Sequence, residues 1–246
     1  TVLYHPTGFP NDVSDSDDHS VNLFQPCIDV VKGGDTLSKV TDSVNYDFTI
    51  TNCSSGDSPN LVMDSIVDTL LGNLAGPAPA ACDNLAPAAS CNFSVQRTVL
   101  PGDPDPLPNT VTVHYHPVGF PNDIQDSDDH SVDLFQPCVN VDKTGDTLSK
   151  VTDSVNYDFT ITNCGNGPNL IVDSINDTLL GDLLDDAPAA CDSLATGANC
   201  QFSVQRTVLP GDPDPLPNTV TVHYHPAGFT NDITDNDGHS VNLFQP

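Results

Sequence analysis

The sequence predicts an all-β chain of tandem, disulfide-stapled antiparallel β-sandwiches of the immunoglobulin type, and three observations predict it. The first is repetition. The stretch DTLSKVTDSVNYDFTITNC at Asp35 to Cys53 returns letter for letter at Asp146 to Cys164, and FSVQRTVLPGDPDPLPNTVTVHYHP at Phe93 to Pro117 returns at Phe202 to Pro226. The second is a period of two in apolar residues, the mark of a half-buried strand. The third is the spacing of turn residues and cysteines, which cuts each repeat into short strands and recurs in both copies. The opening TVLYHPTGFPNDVSDSDDHSVNLFQP matches Thr112 to Pro137 and Thr221 to Pro246. The chain therefore divides into a partial repeat at 1–26 and two repeats at 27–137 and 138–246, offset by a two-residue deletion where SSGDS becomes GNG.

Along one repeat the elements follow from the residues. Ile28 to Lys32 is a strand candidate that stops at KGGD. In Val44 to Thr51, the residues Val44, Tyr46, Phe48 and Ile50 alternate with Asn45, Asp47, Thr49 and Thr51, so one face is apolar and the other polar. The turn SSGDSPN separates this strand from Leu61 to Asp68, whose β-branched residues favour strand over helix. An Ala/Pro-rich stretch from Ala75 to Ala89 leads to Cys91 to Leu100, with Phe93, Val95 and Val99 inward. After PGDPDPLPN comes Thr110 to His116, with Val111, Val113 and Tyr115 inward; after PVGFPND comes Ser131 to Phe135. About six or seven short strands in about 110 residues suit a sandwich.

All 34 acidic residues are Asp, against 6 Lys and Arg, giving a formal charge of -28. Asp favours turns and ion-binding loops where Glu would favour helix. Such a charge argues against nucleic acid and anionic membranes as partners. With only 37% hydrophobic residues, a repeat of this size buries a thin core and benefits from staples. Four cysteines per repeat point to disulfides and an oxidising, extracellular compartment. Three pairings per repeat are open; the reading favours Cys27 with Cys53, Cys82 with Cys91, Cys138 with Cys164 and Cys191 with Cys200. The first of each two joins the start of a strand to the end of its antiparallel neighbour, and the second closes a short loop. No C-x-x-C spacing suggests zinc. No apolar run is long enough to span a bilayer as a helix.

The segments VVKGGD from Val30, VNYDFTITN from Val44, IVDTLLG from Ile66 and NTVTV from Asn109 occur in this order over nearly the whole repeat. In them the chain resembles the Ig-like tandem repeat of large bacterial and archaeal cell-surface and adhesin-like proteins. The resemblance implies an architecture of strung sandwiches and implies no chemistry. Four cysteines per repeat and the absence of Glu depart from the family pattern.

Two Asp-dense segments are the candidate metal sites. One holds Asp103, Asp105 and Asn109, with Asp212, Asp214 and Asn218 in the second copy. The other holds Asp12, Asp15, Asp17 and Asp18, echoed as Asp123, Asp126, Asp128 and Asp129, and as Asp232, Asp235 and Asp237. Crowded carboxylates on proline-stiffened loops suit Ca²⁺, which takes about six to eight oxygens at about 2.4 Å. Neither segment has EF-hand spacing. His114 and His116, and His223 and His225, each share a strand face; two imidazoles on one face can hold zinc or copper, but in the opening copy Leu3 replaces the first of the pair and an exposed polar face is expected. His19, His130 and His239 lie beside the Asp clusters in what is expected to be solvated surface. No nucleophile, base or phosphate-loop motif stands out, and nearly every notable residue is duplicated, so no enzyme is expected. The expected function is a structural segment of an extracellular fibre or surface stalk, stiffened by Ca²⁺ and disulfides. Its expected partners are further repeats of the same chain or copies of itself. The alternative is a surface adhesin repeat that binds a glycan or a protein.

Overall fold

A computed structural model describes residues 1–244; Gln245 and Pro246, the end of the span 138–246, lie outside the described residues. The chain packs as two compact units, one of Thr1–Asp35, Ser43–Arg97 and Pro108–Ser131, the other of Thr36–Asp42, Thr98–Leu107 and Val132–Pro246. These limits group some residues differently from the repeat boundaries. The chain is almost entirely strand. β1 (Val2–Tyr4) and β2 (Val13–Asp15) come first. The first repeat contributes β3 (Ile28–Gly34), β4 (Leu37–Lys39), β5 (Ser43–Asn52), β6 (Leu61–Asp68), β7 (Gly72–Asn73), β8 (Asn84–Leu85), β9 (Ser90–Thr98), β10 (Leu107–Pro117) and β11 (Ile124–Phe135). The second contributes β12 (Val139–Gly145), β13 (Leu148–Ser149), β14 (Ser154–Asn163), β15 (Leu170–Asp177), β16 (Gly181–Asp182), β17 (Ser193–Leu194), β18 (Asn199–Thr207), β19 (Leu216–Pro226) and β20 (Ile233–Leu243).

The second unit shows the topology in full. One sheet has the order β12-β14-β18; the facing sheet runs β13-β20-β19-β15-β16, with β17 added to β15. All pairings in it are antiparallel except β13 on β20, which is parallel. A first strand that leaves one sheet and continues alongside the last strand of the other is an immunoglobulin arrangement. The core between the sheets is built from the inward residues that period two selects: Val155, Tyr157, Phe159 and Ile161 from β14, Val220, Val222 and Tyr224 from β19, and Ile175 from β15. Rings of Phe159 and Phe202 stack at 4.9 Å on the flank of this core.

The first unit repeats the pattern. β3 pairs with β5, β10 pairs with β6, and Val44, Tyr46, Phe48, Ile50, Val111, Val113 and Tyr115 are buried. Disulfides join Cys27 to Cys53, Cys82 to Cys91, Cys138 to Cys164 and Cys191 to Cys200. The buried hydroxyls of Tyr115 and Tyr224 donate to the carbonyls of Cys82 and Cys191 at 3.0 Å, tying each short-loop staple to the core. The glycine that ends β3 and β12, the first residue of a GD pair, is required by space as well as by conformation. Gly34 and Gly145 have φ of 141° and 156°, and a side chain there would strike the carbonyls of Asn45 and Asn156.

One expected element is corrected. The sequence places a strand only at Ser131 to Phe135 and reads the Asp-dense residues before it as loop. In the structure the strand starts at Ile124 and runs through them, and β20 does the same from Ile233. The physical reason is visible in the alternation: Ile124, Asp126, Asp128, His130 and Val132 face one way, so the carboxylates obey the same period of two as apolar residues would.

Candidate functional site

The extended Asp-bearing strands explain where most of the candidate ligands go. β3 lies at the edge of its sheet, with a row of amides that no strand pairs. Asp126 and Asp128 accept the Val30 and Lys32 amides at 2.8 and 2.7 Å. Asp235 and Asp237 accept those of Val141 and Lys143 at 2.9 and 2.7 Å. Alternate carboxylates thus take the place of a missing neighbour strand. In the other segment Asp103 and Asp105 accept the amides of Leu100 and Leu134, and Asp212 and Asp214 those of Leu209 and Leu243, at 2.8 to 3.0 Å. Asn109 and Asn218 are buried and accept the hydroxyls of Thr69 and Thr178 at 2.9 Å. In the opening copy Asp15 and Asp17 accept only the amide of the next residue, and Asp12, Asp18 and Asp129 are exposed. Among the described residues no three His, Cys or Asp side chains converge as a metal centre would require.

Each repeat also holds a buried ion pair that no motif in the sequence marks. Lys32 reaches Asp68 at 2.7 Å and Lys143 reaches Asp177, with all four side chains fully enclosed. Each ammonium also lies over aromatic rings: Lys32 is 5.0 Å from the Tyr46 centroid, and Lys143 is 4.8 Å from that of Tyr157. Burial pulls each lysine below its ordinary value, and the hydrogen bond and charge of its aspartate pull it back up. The aspartates also accept the amides of Leu70 and Leu71, and of Leu179 and Leu180. A signal existed: Ile28, Val30 and Lys32 share one face, so the alternation aims Lys32 inward.

The histidines form the most distinctive polar surface. On β19, His223 and His225 point away from the core while Val222 and Tyr224 point into it. The Nδ1 of His223 meets Asp232 at 2.9 Å, and that of His225 meets Asp173 at 2.8 Å. In the first unit His114 and His116 meet Asp123 and Asp64 through Nδ1 at 3.0 and 2.8 Å. Asp64 and Asp173 each sit at a β-bulge, where β6 and β15 carry one residue more than the strand opposite. A bulge re-aims the side chain it carries, here toward the second histidine of each pair. His130 and His239 serve the fold instead, each bonding through Nε2 to a backbone carbonyl, of Asp35 and Asp146.

No family model matches the chain, and no curated protein matches it. Among solved structures it is similar to the full ectodomain, Ig1–Ig3, of mouse nectin-like molecule 4, at 14% identity and a TM-score of 0.26, over 90% of this chain and 64% of that one. It is also similar to Salmonella alpha-2-macroglobulin, at 11% identity and a TM-score of 0.32, and to alpha-2-macroglobulin from Escherichia coli, at 12% and 0.27. The chain covers 16% and 18% of the lengths of those two proteins. The strand order described above, and not these likenesses, carries the assignment of the fold.

Proposed function

We propose that the chain is a segment of an extracellular fibre or surface stalk made of repeated sandwiches. The observation that supports this is that the devices holding one unit recur in the other with matched partners. The ion pairs Lys32–Asp68 and Lys143–Asp177, the edge clamps by Asp126 and Asp235, and the tyrosine-to-cystine ties are all present twice. A protein selected for one reaction needs one competent site, whereas a spacer needs identical, stable links. Disulfides suit an oxidising, extracellular setting. No helix among the described residues is long and apolar enough to cross a membrane. Calcium enters this reading at exposed carboxylates such as Asp12, Asp18 and Asp129, where it would relieve repulsion between neighbouring charges.

A second reading, a surface module that binds a glycan or a protein, is favoured by one feature. A cleft of about 670 Å³ opens over His223, His225 and Phe229. The two readings separate under the electron microscope. Purified chain imaged with and without calcium should give filaments whose axial repeat matches one or two units, and EDTA should lower the melting temperature. Monodisperse particles that capture a carbohydrate array would overturn the fibre in favour of the binding module.

A further inference from the structure

We propose that His223 and His225 form a binding site for a borderline transition-metal cation, Cu²⁺, Ni²⁺ or Zn²⁺, and that His114 and His116 form its copy in the first unit. Two residues apart on a strand, the imidazoles of each pair stand on the same face, and their side chains are about one-third exposed, so a cation from solvent reaches them. His223 and His225 border a single cleft together with Asp173, Asp232 and Phe229. His116, Asp64 and Asp123 border a smaller one of about 430 Å³ in the first unit.

The chemistry follows from which nitrogen is occupied. All four histidines meet a carboxylate through Nδ1. An ionised carboxylate only accepts hydrogen bonds, so Nδ1 carries the proton and donates, and in the neutral ring Nε2 keeps its lone pair. This is the arrangement by which a carboxylate fixes the tautomer and orientation of a metal-ligating histidine and raises its basicity. The bulges at Asp64 and Asp173 re-aim these carboxylates, which reach His116 and His225. Imidazole selects Cu²⁺, Ni²⁺ and Zn²⁺ over Ca²⁺, with Cu²⁺ held most tightly. Two protein ligands leave the remaining coordination positions to water or to a partner's side chain. The chain's charge of -28 raises the local concentration of cations. The opening copy carries Leu3 beside His5 and supplies an internal comparison with one histidine missing.

The test is titration of the full chain with Cu²⁺ at neutral pH, followed by calorimetry and electron paramagnetic resonance. The expected result is two equivalents bound per chain, each signal carrying hyperfine structure from two imidazole nitrogens. The double substitution H223N and H225N should halve the stoichiometry, and adding H114N and H116N should abolish it. D173N should weaken binding about 10- to 100-fold at its site while leaving the stoichiometry intact. Circular dichroism checks that each variant folds. On the unsubstituted chain, Zn²⁺ should shift the Nε2 resonances of these four histidines and not those of His130 or His239, a readout that needs no variant. Copper binding unchanged in the fourfold variant, zinc shifts spread over all histidines, or no saturable binding would each overturn the site. None of these outcomes bears on whether the chain forms filaments.

Discussion

Closely related segments occupy two environments in this chain. Thr1 to Pro26 and Thr221 to Pro246 match at 19 of 26 positions, and in both the hairpin register is the same: Val2 opposes Asp15 and Tyr4 opposes Val13, as Val222 opposes Asp235 and Tyr224 opposes Ile233. What differs is extent and burial. The opening copy pairs three residues per strand, whereas β19 and β20 pair over much of their 11 residues each. Tyr4 is 72% exposed and Tyr224 is 0% exposed; Val21 is 70% exposed and Val241 is 0%. Local sequence, through the turn between the strands, chooses the register. Strand length and core burial come only when a second sheet lies beneath.

The largest test of that difference uses the tyrosines. Tyr224→Ala removes a fully enclosed ring and its hydrogen bond to the Cys191 carbonyl, and is expected to cost about 3 to 5 kcal/mol. Tyr4→Ala should stay within about 0.5 kcal/mol of the parent. Urea denaturation of the two variants measures both. A large loss from Tyr4→Ala would mean that the opening hairpin is packed against a sheet in solution, and the comparison would break.

A smaller effect is expected at the carboxylates. Asp235 accepts the Val141 amide at a partly buried edge, while Asp15 accepts only the exposed amide of Ser16. Asp235→Ala should cost about 1.5 to 3 kcal/mol, the range for a hydrogen bond to a charged group, and Asp15→Ala close to nothing. Faster amide exchange at Val141 in the first variant alone would locate the cause at the edge of β12.

These contrasts also show what the letters can carry. The strand Val44 to Thr51 is legible because its alternation is local, and it appears as Ser43–Asn52. The all-strand, disulfide-stapled class is legible because it depends on composition and on turns. The Asp-rich start of β11 and β20 looks like loop in the sequence because its partners, the edge amides of β3 and β12, lie 94 to 96 residues away. The histidine sites divide along the same line. His114 with Asp123 spans nine residues across one hairpin, whereas His116 with Asp64 spans 52 and requires both the sheet order and the bulge. Lys32 stood on an inward face in plain view, but its partner Asp68 is defined only once the two sheets face one another.

The smallest predicted effect separates packed from unpacked aspartates by pH. Arg206 grips Asp212 with both guanidinium arms, at 2.7 and 2.9 Å, and these hydrogen bonds hold the Asp212 carboxyl below its ordinary value. A carboxyl lowered by folding binds fewer protons in the folded chain than in the unfolded one, so stability rises with pH across the interval between the two values. The contribution is complete above the unfolded value of about 4 and disappears as pH falls through the folded one. Because the pair sits near the surface, the amount is less than about 1 kcal/mol. Asp212→Asn should therefore lower the urea midpoint slightly at pH 7 and flatten its decline below about pH 4. Asp17→Asn, in the opening copy, should leave the urea midpoint at pH 7 in place, since Asp17 accepts only the exposed amide of Asp18. If Asp212→Asn leaves both the midpoint and the acid limb in place, the Arg206 contact sets neither, and the packed copies hold no advantage over the hairpin in this respect.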